Sequence, residues 1–487
     1  MTDTGSRSRV ETVDVAPVNK KENRSLYKKR EKIYPKRAQG GFRKFKWFVM
    51  AVTLTIYYVT PWLRWDRGPN APDQAVLIDL PGRRFYFFFI EIWPQEVFFI
   101  AGLLILAAMV LFLTAATVGR AWCGYSCPQT VWTDLFIAVE RFWEGDRNAR
   151  MRLDRAPASV GKFGKKLGKH ISWLLIAVAT GGAWVFYFAD APTLASELFA
   201  LDAQFAAYVW IGILTAFTYV FGGFMREQVC TYMCPWPRIQ AALADEDTLI
   251  VNYNVERGEP RGSHKAGESW EGRGDCVDCN QCVAVCPMGI DIRDGQQIEC
   301  ISCALCIDAC NGVMEKVGRP PNLIGYSTLN MADQDARGET PRFRMFRGRT
   351  VLYAGMIALV GAIMLYALLT RSVMDIGVQH QRNPLFTTLS DGSIRNAYTV
   401  RITNKLHEDR TFRLRVEGLA GADVRRIGGD AGLPVFRVGP DTIESYRVFV
   451  TSPGPDVPAS RDLEFVIEDL ANGNTAITDS SFKGPQR

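Results

Sequence analysis

Eight cysteines in two runs constrain this chain more than any other feature. Cys276, Cys279, Cys282 and Cys286 are separated by two, two and three residues, and Pro287 follows. Cys300, Cys303, Cys306 and Cys310 repeat the spacing. Thiolates are soft, anionic ligands suited to iron. Three close thiolates followed by a fourth form the bacterial ferredoxin pattern, in which the fourth cysteine of each run ligates the other cluster. The expected sets are therefore Cys276, Cys279, Cys282 and Cys310 for one [4Fe–4S] cluster, and Cys300, Cys303, Cys306 and Cys286 for the second. Zinc is disfavoured, because its sites use two CxxC pairs rather than two runs of four. The second run ends in Asn311 instead of Pro, which puts its local turn in question but not its ligand.

The chain has 12 cysteines, and the remaining four also come in pairs. Cys123 and Cys127 precede Pro128, and Cys230 and Cys234 precede Pro235. An i, i+4 pair on a helix shares one face. Arg120 and Arg226 lie just before the two motifs, where a positive charge favours thiolate. Each motif follows an apolar run, so the two resemble a parallel internal repeat that brings four thiols toward one axis. Such thiols suit a soft metal such as Cu(I) or a redox-active thiol pair. The plainer alternative is that they are small residues packing helix ends. Disulfides belong to oxidising compartments and metal thiolates to reducing ones, so residues 123–310 are expected to meet the cytoplasm.

The mean hydropathy of −0.02 averages long apolar runs with charged ones. About 20 apolar residues span a bilayer, and five runs approach that length: 47–65, 94–118, 171–189, 205–225 and 351–369. No secretory signal peptide is visible, so the first run is expected to be a retained anchor. Between Lys20 and Lys46 there are 12 Lys or Arg, and the loop 119–170 carries 10, whereas 190–204 carries none. Arg342, Arg344, Arg347 and Arg349 crowd the start of the last run. Basic loops stay inside, which predicts a cytoplasmic N-terminus, five crossings and an outer, periplasmic tail in a bacterial inner membrane. Basic residues beside apolar runs point to membrane lipid rather than nucleic acid.

The expected organisation is a disordered basic arm over 1–44, four transmembrane helices over 45–225 and a cytoplasmic ferredoxin segment over 226–349. A fifth helix follows over 350–370, and a periplasmic domain fills 371–487. Hydrophobic patterning is poor throughout residues 1–40. In the tail, 397–402, 411–416, 446–450 and 463–467 alternate apolar and polar residues, with turn signals at Asp391-Gly392 and Gly428-Gly429. That pattern predicts a small β-sandwich with a docking or scaffolding role.

Other candidates carry less. Glu91 and Glu96 could serve a quinone or proton site, but solvated positions near the interface are the expectation. His170 and His264 read as structural or exposed, and His380 and His407 fall in the tail, where copper contact is a minor option. Trp47, Tyr57, Tyr58, Trp62 and Trp65 resemble an interfacial belt. Met225 and Met233 could assist copper but suit apolar packing better. The four histidines include no pair placed to bracket a haem within the spans.

Several segments resemble the cytochrome c oxidase accessory protein family, also called the FixG or CcoG family. They are 33–37 (Ile-Tyr-Pro-Lys-Arg), 122–132 around Cys123 and Cys127, 226–238 around Cys230 and Cys234, 258–262, 274–279, 289–295 and 383–386. Similarity to polyferredoxin subunits that oxidise quinol is also expected, though those lack the outer sandwich. The resemblance implies a five-helix transmembrane bundle, an inserted dicluster ferredoxin domain and a C-terminal immunoglobulin-like sandwich. It also implies an oxidoreductase, a cupric reductase that makes Cu(I) for assembly of a cbb-type oxidase. Cys123, Cys127, Cys230 and Cys234 would then be the catalytic membrane-face pairs, with oxidase biogenesis factors and an unidentified cytoplasmic electron donor as partners. Met288 departs from the residue expected beside a cluster. Two other functions stay open: an electron-transfer subunit linked to the quinone pool, and an assembly scaffold without turnover.

Overall fold

The computed structural model describes residues 10–19, 31–264, 268–428, 433–454 and 457–485. Contacts divide the chain into two units, residues 1–63 with 75–364, and residues 64–74 with 365–487.

In the first unit, helix α1 (Gly41–Val59) runs into a 3-10 turn at Thr60–Trp62. Strands β1 (Val76–Asp79), β2 (Arg84–Phe87) and β3 (Ile90–Ile92) form an antiparallel sheet. Helix α2 (Phe98–Val118) follows a 3-10 turn in which the Glu96 carboxylate accepts the Trp93 N–H at 3.2 Å. Glu91 and Glu96, expected to be solvated, are both buried. Then come α3 (Ala121–Tyr125), α4 (Pro128–Glu144), α5 (Arg147–Arg155), α6 (Val160–Val185), α7 (Ala191–Ala200) and α8 (Phe205–Thr218). Helix α8 continues in π-helical turns over Tyr219–Met225.

Among the described residues, three helices are long and apolar enough to cross a membrane: Pro94–Val118, Phe205–Met225 and Gly348–Leu369. Their side chains are hardly covered by the rest of the chain, as a lipid-facing helix requires. The other two expected spans fall short for one reason. α1 begins before Trp47 and includes Arg43, Lys44 and Lys46, and α6 begins at Val160 and carries four lysines before Ile171. The uncharged remainder of each is shorter than a bilayer core. α6 nevertheless lies tightly on α8, where a Cβ on Gly181 would come 2.8 Å from the Ile211 carbonyl oxygen.

The basic residues of these two helices are held by α4. Arg43 donates to both Asp134 oxygens at 2.9 Å, and Lys169 meets Glu144 at 3.0 Å. Glu140, fully buried, takes Arg150 at 2.9 Å and Arg226 at 2.8 Å. Burial alone would raise the Glu140 carboxyl, but Arg226, Arg150 and Lys169 outweigh it and hold it down to about 2.

The cysteine-rich segment contains α9 (Trp236–Leu243), β4 (Ile250–Tyr253), α10 (Val255–Gly258), α11 (Gln281–Val285), α12 (Leu305–Val317), β5 (Ile324–Ser327) and α13 (Leu329–Ala336). It leads into α14 (Gly348–Leu369). β4 and β5 pair antiparallel, Ile250 opposite Ser327.

Of the expected disordered arm, residues 1–9 and 20–30 lie outside the described residues. The rest is a strap on the cysteine loops. Val13 donates its N–H to the Cys279 carbonyl at 3.0 Å, Val18 to Gly289 at 2.8 Å, and Lys36 to Ala284 at 2.8 Å. Val13, Ile33 and Ala38 are buried. The apolar residues are too sparse to show a period, and the segment gains order from hydrogen bonds to distant loops, such as that from the Gln281 side-chain amide to the Glu11 carbonyl, 270 residues apart.

The second unit is a β-sandwich. Its strands are β6 (Met374–His380), β7 (Thr387–Thr388), β8 (Ile394–Asn404), β9 (Arg410–Glu417), β10 (Asp423–Arg426), β11 (Val435–Val438), β12 (Thr442–Ser452), β13 (Ser460–Asp469) and β14 (Thr475–Lys483). One sheet runs β10-β12-β8-β6, with β7 also on β8, and the other runs β11-β9-β13-β14. All four period-two segments lie inside β8, β9, β12 and β13. Their apolar sets, such as Tyr398, Phe412, Val448 and Phe465, fill one core. Gly392 forms the expected turn at φ +81°, while Gly429 lies outside the described residues. His380 bonds Asn396 at 2.6 Å and His407 contacts the Asp441 carboxylate.

Candidate redox site

Each ferredoxin run forms a loop followed by a short helix. Asp278 and Asn280 in the first run, and Ser302 and Ala304 in the second, adopt left-handed φ between +51° and +58°. These are equivalent positions, so the two loops repeat one backbone path. The path turns amides inward: N–H groups of Gln281, Ser302 and Ile324 bond the sulfurs of Cys279, Cys300 and Cys310, and those of Met288 and Ile290 bond Cys286. Cys286, which precedes Pro287, is extended and ends α11. Asn311 imposes no such stop, so α12 runs on to Val317, and the Asn311 side chain instead accepts the Asn322 N–H at 2.7 Å.

Two cavities receive these side chains. One is lined by Cys276, Cys279, Cys282 and Cys310 together with Arg293. The other is lined by Cys286, Cys300, Cys303 and Cys306, with Cys282 and the buried Met288 at its edge. The cysteines are all free. No three of their sulfurs lie within 4.8 Å of one another among the described residues. A tetrahedral zinc with bonds of about 2.3 Å would hold its sulfurs roughly 3.8 Å apart. The sulfurs are therefore not drawn together as a single tetrahedral zinc would hold them, and each cavity takes its four cysteines from both runs, the crossed pattern of a two-cluster ferredoxin. Burial pushes the Cys300 thiol up to about 11 and those of Cys286 and Cys310 up to about 12, so without a metal they stay protonated, and a bound metal would displace those protons.

The paired cysteines also repeat one path, though not the expected one. Cys127 and Cys234 are extended, not helical, because each precedes a proline. The Cys127 N–H reaches the Trp122 carbonyl at 2.9 Å and the Cys234 N–H reaches Val229 at 2.8 Å, the same i to i+5 closure. Gly119 (φ 58°, ψ −118°) and Arg226 (φ 44°, ψ −110°) occupy matching positions. This conformation suits glycine, so Arg226 is strained there. Glu140 and a 2.7 Å bond from Arg226 Nε to the Gly223 carbonyl pin it.

The four thiols influence one another electrostatically and so share one neighbourhood. The expected thiolate activation does not hold. Burial, reinforced by Cys127, raises Cys123 to about 11 despite Arg120 and a 3.3 Å bond to Gln240, and burial raises Cys230 to about 12. Arg226 is committed to Glu140 instead.

The second ferredoxin loop rests on the first pair. A Cβ on Gly124 would come 2.6 Å from the Ile301 carbonyl oxygen and 3.1 Å from Cys303 Cα. Arg120 donates to the carbonyls of Ile298 and, at 3.2 Å, Cys300. Its charge interacts with both Cys123 and Cys300. Sequence reasoning did not single out Gly124 or Gln240. The glycine between two cysteines was the available signal for close approach. Met233 is exposed, and His170 bonds Tyr219 at 3.0 Å among aromatic rings. The His264 side chain, expected to be exposed, is largely buried against Trp270.

Three sequence models match this chain. One described as a 4Fe-4S dicluster domain covers residues 225–329, and one described as a 4Fe-4S binding domain covers 99–144. The third, an IG-like fold at the C-terminal of FixG, putative oxidoreductase, covers 364–485. The Nitrogen fixation protein FixG of Rhizobium meliloti is 55% identical, over 99% of this chain and 97% of its own length. Protein RdxA of Cereibacter sphaeroides is 53% identical, over 94% of this chain and 98% of its own. A crystal structure of a FixG-related protein from Vibrio parahaemolyticus aligns at 20% identity, covering 24% of this chain and all of that one, with a TM-score of 0.21.

Proposed function

This chain belongs to the FixG family, and from that premise we propose that it reduces Cu(II) to Cu(I) for copper-site assembly in a cbb-type cytochrome c oxidase. Its coarser nature is an iron–sulfur redox protein with membrane-associated helices and an IG-like C-terminal domain. Cys276, Cys279, Cys282 and Cys310 would hold one [4Fe–4S] cluster, and Cys300, Cys303, Cys306 and Cys286 the other. When bound, these clusters supply one-electron carriers whose potentials respond to hydrogen bonds on sulfur. The inward amides are such bonds.

The observation that carries the reading is the contact of the second ferredoxin loop with the Cys123 motif at Gly124 and Arg120. Copper is the substrate, and the thiolates of Cys123, Cys127, Cys230 and Cys234 are soft ligands that favour Cu(I). Each copper ion takes one electron, supplied by a reduced donor in the cytoplasm, and each bound thiol releases its proton. The proposed topology follows the loop charges: the three long apolar helices cross an inner membrane, α1 and α6 cross with their basic first turns left in the cytoplasmic headgroup layer, the cysteines lie inside and the sandwich in the periplasm. The sandwich would recruit oxidase biogenesis factors.

The test is anaerobic reduction of Cu(II) by the full-length protein, read with a Cu(I)-specific chelator, with iron clusters quantified by electron paramagnetic resonance. Replacing Cys123, Cys127, Cys230 and Cys234 by serine should abolish reduction and leave the eight-cysteine clusters intact. Wild-type protein with intact clusters and no copper reduction would sink the proposal. A second reading, a further iron–sulfur site on these four cysteines, is favoured by the 4Fe-4S binding match over 99–144. Iron content separates the two: it falls in the quadruple variant only under the second.

A further inference from the structure

A cavity of about 660 Å³ opens at the start of α1, between it and α4, with no cysteine in its lining. Its polar lining is strongly one-signed: Arg37, Arg43, Lys44 and Arg141 against a single carboxylate, Asp146. Two of these cations are already committed. Arg43 is paired with Asp134, and Arg141 lies 3.6 Å from Asp146. Arg37 and Lys44 are exposed, and among the described residues their side chains make no hydrogen bond or ion pair. The cavity thus presents two uncompensated positive charges.

Two aromatic rings stand among its remaining, mostly small, lining residues. Trp47, under the Arg43 guanidinium at 4.8 Å, and Phe142, 81% exposed, both line it. The cavity lies near the level at which an apolar helix ends. Lys46, one residue before Trp47, shares a cleft with Arg226, which directly follows the apolar run ending at Met225.

We propose that this cavity binds the phosphodiester headgroup of an acidic phospholipid, with Arg37 and Lys44 as its charge partners and Trp47 and Phe142 against the acyl-chain side. An anion satisfies the two free cations, and an amphiphile covers the exposed rings beside them. A soluble phosphate would satisfy only the charges.

The test uses the full-length protein in nanodiscs made with phosphatidylglycerol, phosphatidylcholine or an equal mixture, with retained lipid counted by native mass spectrometry. Wild type should retain phosphatidylglycerol preferentially from the mixture. An R37Q/K44Q variant should lose roughly 25-fold of that preference, at about fivefold per removed charge, and R37K/K44R should keep it. Both sites are exposed, so the iron–sulfur absorbance of the variants should match wild type. Equal retention of the two lipids by wild type, or a preference unchanged in R37Q/K44Q, overturns the proposal. So does displacement of the retained lipid by millimolar inorganic phosphate, which would mark a soluble-anion site. None of these readouts involves copper, so the result stands apart from the reductase assignment.

Discussion

At the scale of single residues, two positions decide how the redox region is held. Gly124 allows the backbone of one motif to touch the backbone of another, which no side chain could do. Gly124→Ala would meet the Ile301 carbonyl oxygen, and overpacking of this kind costs about 1–3 kcal/mol. We expect a lower thermal midpoint and, in the proposed copper reduction, a slower rate at unchanged iron content, read by calorimetry and chelator assay. Glu140 acts in the opposite way, by attraction. Glu140→Gln leaves Arg226 and Arg150 buried without their carboxylate, at a cost of about 3–5 kcal/mol. Released from its anchor, the strained Arg226 turn should also expose Cys230 to faster alkylation. The sign of the pH dependence follows from the depressed carboxyl. Its contribution is complete above its ordinary value of 4.5 and is lost as pH falls toward 2. Acid denaturation of wild type should therefore steepen between those values, and that component should vanish in Glu140→Gln.

Among elements, what could be read in advance depended on whether the cause was local. The ferredoxin loops were legible because ligand spacing is itself sequence. The sandwich strands were legible because one buried face imposes period two. The extended Cys127 and Cys234 were also legible in principle, since the following proline forbids the helical conformation, yet helix periodicity suggested otherwise. The lengths of α1 and α6 were not visible. Their basic first turns resemble loop, and carboxylates on other helices (Asp134, Glu140 and Glu144 on α4, Asp154 on α5 and Asp308 on α12) hold them as helix. The strap was least visible, because its order comes from partners far along the chain, carbonyls of the cysteine loops on one side and Arg141, Arg147 and Arg150 on the other. Removing residues 10–19 deletes the bonds to Cys279 and Gly289 without touching a cysteine. The truncated protein should lose its iron–sulfur absorbance in air several-fold faster than wild type, at equal starting iron content.

For the whole molecule, two units with separate cores predict separable stability. Phe465 is fully buried in the sandwich core, and Phe465→Ala should cost that unit about 3–5 kcal/mol. Differential scanning calorimetry should show one transition moving down while the iron–sulfur absorbance keeps its own midpoint. The strap has a temporal meaning as well. Asn19 leaves the ribosome 269 residues before Met288, whose carbonyl it caps. At roughly 5–20 residues per second, that is a delay of about 15–50 s. During synthesis the cysteine loops therefore emerge with their cover already waiting outside the tunnel. Any metal-loading factor works between the birth of the last cysteine and the moment this early-made segment folds down over the loops.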